Sequence, residues 1–284
     1  MTPTRRTRLR SLLIRFSAAA VLAAAVAIPT LAGTPAPALA TTGISEKKGV
    51  DSCGLMNSLS RDQTFWTYTS YSTFGLYIGG SNASCPTSSA SYVSSLTAQG
   101  WRLLPIWVGP QAPCSSFGSR MSSDPGTAYA QGKTEAHAAV QKEAALGMTT
   151  LNAPVVFDLE AYDTSNASCL SAVEWFITGW TTQLHIAPAQ QSGVYGSGCG
   201  SGLGNFATLN PPPDFIDGAD WDGSSSTANI SCVASGNWIN HQRFKQYLGG
   251  HNETYNGLTV SVDDDCSNGP VYGPDNLTTA RDCY

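Results

Sequence analysis

The chain has 284 residues, with 15 Lys and Arg against 20 Asp and Glu and a formal net charge of −5 at pH 7. Its first 40 residues hold five of the arginines and no acid, so the remainder carries 10 basic and 20 acidic residues, net −10. A body this acidic excludes a nucleic-acid partner held by phosphate electrostatics.

At the start of the chain, Arg5, Arg6, Arg8, Arg10 and Arg15 form a basic head. Phe16 to Ala32 gives an apolar middle, and Ala38-x-Ala40 a small-residue end. That order predicts a secretory signal over residues 1–40, cleaved near Ala40. The alternative is a retained anchor, for which the apolar part is short and Ala-rich. Thr4 to Arg10 resembles the twin-arginine export motif, with Arg8 where that motif usually carries Phe. The mature protein is expected to be secreted or wall-associated, with no membrane span after signal removal. Residues 41–48 ("TTGISEKK") read as a polar linker, and residues 49–284 as one domain.

Short apolar runs rich in Val, Ile, Tyr and Trp then recur, and each predicts a strand. They begin at Gly49, Thr73, Trp101, Ala153, Gln191, Asp214, His241 and Gly257. Helical patterns separate several of them. In "SYVSSLTAQG", Tyr92, Val93 and Leu96 share a face and Gly100 ends the helix. Asp124-Pro125 opens an Ala-rich helix that stops at Gly147, with Asp as N-cap and Pro in the first turn. Leu170, Val173, Ile177, Trp180 and Leu184 mark a core-facing helix. Eight strands alternating with helices predict an α/β fold, a single (β/α)8 TIM-like barrel with short or missing later helices. An open doubly wound sheet is the alternative, but no GxGxxG marks a dinucleotide site.

Eight cysteines follow the signal: Cys53, Cys85, Cys114, Cys169, Cys199, Cys232, Cys266 and Cys283. An even count in an exported chain predicts disulfides, and the absence of any CxxC pair argues against zinc. A body this long can bury a core without staples, so the bonds are expected to hold loops.

Carboxylates cluster at the predicted strand ends. Asp51 ends the first, Asp158 and Glu160 the fourth, and Asp263 and Asp265 the eighth. Barrel chemistry sits at those ends. In "VVFDLEAYD" the i, i+2 spacing turns Asp158 and Glu160 to one side and Leu159 to the other. The two carboxyls can then stand about 5–9 Å apart, a range that covers both geometries of glycoside hydrolysis. That chemistry needs one protonated acid and one charged partner. A solvated rim or a Ca²⁺ site at "DDDCSNGP" would show acids too. Rings near strand ends favour a sugar, whose apolar faces stack on them. Tyr77, Gln111, Tyr195, Trp221, Tyr247 and Asp265 are the candidate substrate contacts, and Trp107 is a further nearby ring. His251 and Glu253, before the eighth strand, form a secondary candidate for metal or acid–base work. No phosphate loop, Gly-x-Ser-x-Gly elbow or Ser-His-Asp set is found. No metal or cofactor is expected.

The ordered series "GVDSC", "LYIGG", "GWRLLPIWVGPQAPC", "VVFDLEAYD", "SGVYGS", "WINHQRFKQYLGGHNETYNG" and "VSVDDD" resembles the twin-arginine-exported glycoside-hydrolase-like domains of bacteria. The resemblance covers Gly49 to Asp265. That family looks like a barrel relative of the muramidases marked by Asp-x-Glu after strand four. The resemblance implies a barrel, export and a cell-wall polysaccharide as partner, and the protein is expected to be a monomer. It implies Glu160 as general acid, with Asp158 orienting the substrate's acetamido group. Asp51 and Asp263 match the acids of strands one and eight. The eight cysteines, the weak later helices and "VDDDCSN" depart from the muramidase pattern. The expected function is hydrolysis of a β-linked, N-acetylated wall polysaccharide. The rival is a non-catalytic wall-binding or structural protein on the same barrel.

Overall fold

The structure is a computed structural model that describes residues 41–148, 150–186, 188–277 and 283. The expected signal over residues 1–40 lies outside them. Among the described residues no helix is long and apolar enough to cross a membrane.

Nine strands form one sheet. They are β1 (Thr42–Ser45), β2 (Lys48–Asp51), β3 (Thr73–Gly79), β4 (Arg102–Trp107), β5 (Pro154–Asp158), β6 (Gln191–Ser197), β7 (Phe215–Ala219), β8 (Arg243–Tyr255) and β9 (Leu258–Tyr272). From β2 to β8 every neighbouring pair is parallel. β9 pairs with both β8 and β2, which closes an eight-stranded barrel. Four helices accompany the early strands: α1 (Leu59–Tyr68), α2 (Ala90–Gln99), α3 (Pro125–Ala145) and α4 (Ala167–Leu184). Between β6 and β7 there is only a 3-10 helix at Leu203–Thr208, and none joins β7 to β8. The barrel with depleted later helices is therefore present.

Two expectations are corrected. The eighth barrel strand runs antiparallel, because β8 and β9 are joined by a two-residue turn at Asn256-Gly257. Both turn residues have positive φ, 48° and 79°. That pair of left-handed conformations suits a hairpin turn, and Asn-Gly is the sequence that adopts it. The second correction concerns residues 41–48. Thr42–Ser45 form β1, paired with the far end of β9, so this stretch belongs to the sheet and is not a linker.

The helices follow from local chemistry. Asp124 and Asn166 cap α3 and α4 by accepting from the Thr127 and Cys169 amides. Gly100 closes α2 in a left-handed conformation. Val155, Phe157 and Leu159 face outward into the main core, where the Phe157 ring lies 4.8 Å from that of Phe176 and 5.3 Å from that of Trp180. Val156 faces inward. With Leu104, Phe215, Phe244 and Val271 it fills the lower barrel.

Disulfides tie rim segments in neighbouring pairs. Cys53–Cys85 joins the loops after β2 and β3, Cys114–Cys169 ties the loop after β4 to the first turn of α4, and Cys199–Cys232 joins the loops after β6 and β7. Loops held this way bound the upper end of the barrel and keep less freedom when the chain unfolds. Cys266 and Cys283 share a small buried cluster with Tyr247. A fourth bond is expected between them under oxidising conditions. Non-reducing peptide mapping should recover a Cys266–Cys283 pair. Alkylation of both thiols in denatured, unreduced protein would show the bond to be absent.

Candidate active site

At the C-terminal ends of the parallel strands the barrel opens into a cavity of about 260 Å³. Five carboxylates line it: Asp51, Asp158, Glu160, Asp217 and Asp263. Strand alternation explains why they meet. Val156 and Asp158 point inward from β5 as Phe157 points out, and Glu160 continues the inward side just past the strand. Asp51 on β2 stands opposite Asp263 on β9 in the ladder. Gly75 on β3 makes room beside them, since a Cβ there would sit 2.6 Å from the Cβ of Asp51. The walls carry Tyr77, Tyr195 and Trp221, with Trp221 at the rim and 66% exposed.

A hydrogen-bond chain organises one side. The Tyr77 hydroxyl donates to Asp51 Oδ1 at 2.7 Å, and Gln246 Nε2 donates to Asp51 Oδ2 at 3.0 Å. Gln246 Oε1 accepts from the Tyr195 hydroxyl and from Trp221 Nε1, each at 2.9 Å. One amide therefore fixes an acid and two rings. Asp263 Oδ1 accepts from the Gly250 amide.

Gln111 organises the other side from behind. It is fully buried and does not line the cavity. Its Nε2 donates to the Asp158 carbonyl at 2.8 Å, and its Oε1 accepts from the Glu160 amide at 2.8 Å. The side chain thus clamps the backbone on both sides of Leu159 and sets the spacing of the two acids. Predicted as a substrate contact, it lies behind the cavity wall and not on it.

Crowding and burial change the charge states. Burial, then Glu160 and Asp217, push Asp158 up to about 8. Burial lifts Asp217 to about 7. Asp51 is raised by burial, then by Asp263, against the pull of the Tyr77 hydrogen bond. Glu160 is raised by burial, then by Asp263. Asp158 Oδ1 and Asp217 Oδ1 are buried without a hydrogen-bond partner. Like charges at close quarters cannot all ionise, so the cavity holds protons near neutral pH. A site rich in carboxylates that retain protons can deliver one to a leaving group.

Among the predicted residues, Asp51, Asp158, Glu160, Asp263, Tyr77, Tyr195 and Trp221 come together. Besides Gln111, two others do not. Tyr247 points away from the barrel interior and its hydroxyl lies 3.3 Å from Asp264 Oδ2. Asp265 points inward but below the cavity, opposite Gly49, because the antiparallel β9 carries it downward. Trp107 faces outward and donates to Glu135 Oε2 at 2.7 Å. Asp217 and Gln246 also line the cavity and are not among the predicted residues. Each lies two residues beyond an inward-facing Phe, Phe215 and Phe244, and that spacing is the signal that would have found them. Asp263 and Asp265 face inward while Asp264 faces out, so the carboxylates of "DDD" lie on two faces of the strand.

A family profile described as "Rv2525c-like, glycoside hydrolase-like domain" matches residues 64–267. No curated protein matches the chain. An uncharacterized B. stearothermophilus protein is 15% identical, with a TM-score of 0.52 over 78% of this chain and 95% of that one. The Mycobacterium tuberculosis Tat-secreted protein Rv2525c, solved with L-tartrate, is 14% identical, with a TM-score of 0.51 over 78% of this chain and 96% of that one. The modular autolysin LytC from Streptococcus pneumoniae is 13% identical, with a TM-score of 0.50 over 77% of this chain and 46% of that one. At these identities the likenesses show a shared fold. The profile covers most of the chain, and the chain belongs to the Rv2525c-like, glycoside hydrolase-like domain family.

Proposed function

We propose that this protein is an exported hydrolase of a β-linked, N-acetylated cell-wall polysaccharide. The observation that carries this is the convergence of Asp158, Glu160, Asp51 and Asp263 in one open cavity walled by Tyr77, Tyr195 and Trp221. No cysteine lines that cavity. Glu160 lies toward solvent and Asp158 is buried below it, which suits an acid reaching a glycosidic oxygen and a partner holding the sugar. LytC has also been solved with a synthetic peptidoglycan ligand. Residues 1–40 carry the protein out of the cytoplasm, in keeping with their basic, apolar and small-residue order.

In the proposed reaction Glu160 donates its proton to the glycosidic oxygen as the C1–O bond breaks. The acetamido oxygen of the same sugar attacks C1, and Asp158 accepts a hydrogen bond from the acetamido N–H. Water then opens the ring so formed, giving its proton back to Glu160. Asp263, opposite Asp51 in the ladder, faces the positive charge developing at C1.

The test is release of reducing ends by the mature protein. Peptidoglycan, chitin-type and mannan- or arabinan-type polymers would be assayed side by side. Release from peptidoglycan or chitin-type polymer is expected. Co-sedimentation with wall material and no release from any polymer would establish the non-catalytic binder instead.

A further inference from the structure

Outside the cavity, a second set of polar side chains gathers on the opposite face of the β8–β9 hairpin. His251 and Glu253 sit two residues apart on β8, and Asp264 lies on β9. His251 Nε2 is 3.7 Å from Glu253 Oε1 and 3.8 Å from Asp264 Oδ1. One donor atom from each of the three lies within 4.8 Å of the other two. Ligand atoms on a tetrahedral zinc-class ion stand about 3.4 Å apart, given bonds of roughly 2.0–2.2 Å. A small inward movement of three side chains would meet that spacing.

Hydrogen bonding leaves the two carboxylates of this cluster short of donors. The Tyr71 hydroxyl lies 3.0 Å from Glu253 Oε1 and 2.5 Å from Asp264 Oδ1. It has one proton and can satisfy one of those two oxygens. Glu253 Oε2 and His251 Nδ1 are buried with no hydrogen-bond partner. Among the described residues the basic group paired with these two carboxylates is His251. A protonated imidazole would offset one of the two negative charges, whereas a divalent ion would offset both.

We propose that His251, Glu253 and Asp264 bind a divalent transition-metal ion of the zinc class, with Tyr71 as the adjoining phenol. One imidazole nitrogen and two carboxylate oxygens suit such an ion better than Ca²⁺ or Mg²⁺, which take oxygen ligands in larger number. Two ligands come from one strand and the third from its paired neighbour, so the hairpin sets their positions. Tyr247 holds the far oxygen of Asp264, as outer-shell partners orient metal ligands, while the Tyr71 hydroxyl borders the oxygens that would face the ion. His251 keeps 27% of its side-chain surface exposed, which gives the ion a route in. Bound there, the ion would pin the long hairpin to the segment between α1 and β3 that carries Tyr71. The site is independent of the proposed hydrolysis, since Asp264 faces away from the cavity.

The experiment is titration of zinc chloride into tag-free mature protein that has been stripped with a chelator. One equivalent is expected to bind, with a rise in Tm that EDTA reverses. His251→Ala and the near-isosteric Glu253→Gln should each weaken zinc binding at least about tenfold. Asp263→Asn, in the cavity, should leave it unchanged. A cobalt(II) derivative should show a visible absorption band that His251→Ala removes, a readout that a loss of packing alone would not produce. No binding of zinc would overturn the proposal. So would zinc binding that survives in both hairpin variants, or that is lost in Asp263→Asn.

Discussion

Glu160→Gln is expected to lower polysaccharide cleavage by about 10²–10⁴-fold, the usual worth of a positioned general acid. The substitution keeps shape and hydrogen-bonding capacity while removing the proton that the leaving oxygen needs. Glu160 is exposed at the mouth, and its backbone amide is held by Gln111, so the fold should persist. Binding of wall polymer should also persist, because the rings and the other four acids are untouched. The loss must therefore fall on kcat, with KM nearly unchanged. Asp158→Asn should also lower kcat, since the amide oxygen still accepts the acetamido N–H but the side chain can no longer take up its proton as the ring forms. Gln111→Leu offers a graded companion. It leaves both carboxyls in place and removes only the clamp on their backbone, so an intermediate loss in kcat is expected. Full activity in Glu160→Gln, measured as reducing ends from peptidoglycan, would sink the hydrolase assignment.

What the sequence shows of this site, and what it hides, follows from how each feature is encoded. The apolar half of "VVFDLEAYD" and its i, i+2 acids are local, and local alternation alone puts Asp158 and Glu160 together. The Asp124 cap is local as well, and its helix begins where that residue predicts. The direction of β9 is different, since it depends on a pairing across the barrel. Taking it as parallel places Asp265 at the mouth, and the antiparallel strand puts it beneath. Asn256-Gly257 carried the hairpin signal, at the cost of only two residues. Tyr247 and Gln246 show how much rests on parity. One step along β8 exchanges a ring that faces away from the cavity for an amide that joins Asp51, Tyr195 and Trp221. Gln111 is among the predicted contacts, but its place behind the cavity is hidden for another reason. Its task is to hold backbone on a different strand loop, and no sequence spacing reports that.

The protein should lose stability as pH rises from about 5 to about 8, the reverse of the pattern set by salt-bridged carboxylates. The sign comes from the direction of the shifts. Burial, with added repulsion at Asp158, raises Asp158 to about 8 and Asp62 and Asp217 to about 7, all from an ordinary value of 3.8. Asp51, Asp265 and Glu143 are raised well above their ordinary range, each chiefly by burial. In the unfolded chain these groups release their protons near pH 4, while the folded protein keeps them for some pH units more. Over that interval the folded state binds more protons, so raising the pH favours unfolding. Each pH unit of separation is worth roughly 1.4 kcal/mol per group, so several groups together should move Tm by on the order of 10 °C. Below about pH 4 the trend should turn. Asp124, Asp163 and Asp222 accept hydrogen bonds that hold them below the ordinary range, and that support disappears as they are protonated. A maximum near pH 4–5 follows. Asp62 separates this effect from the cavity. It lies under α2, where its Oδ2 accepts from the Tyr92 hydroxyl at 2.9 Å. Asp62→Asn keeps an acceptor and cannot ionise, so the variant should gain Tm at about pH 8 relative to wild type and match it near pH 5. Calorimetric Tm values for both proteins across that range decide the matter. A wild-type Tm that is flat or rises toward about pH 8 would show that the buried acids ionise without cost.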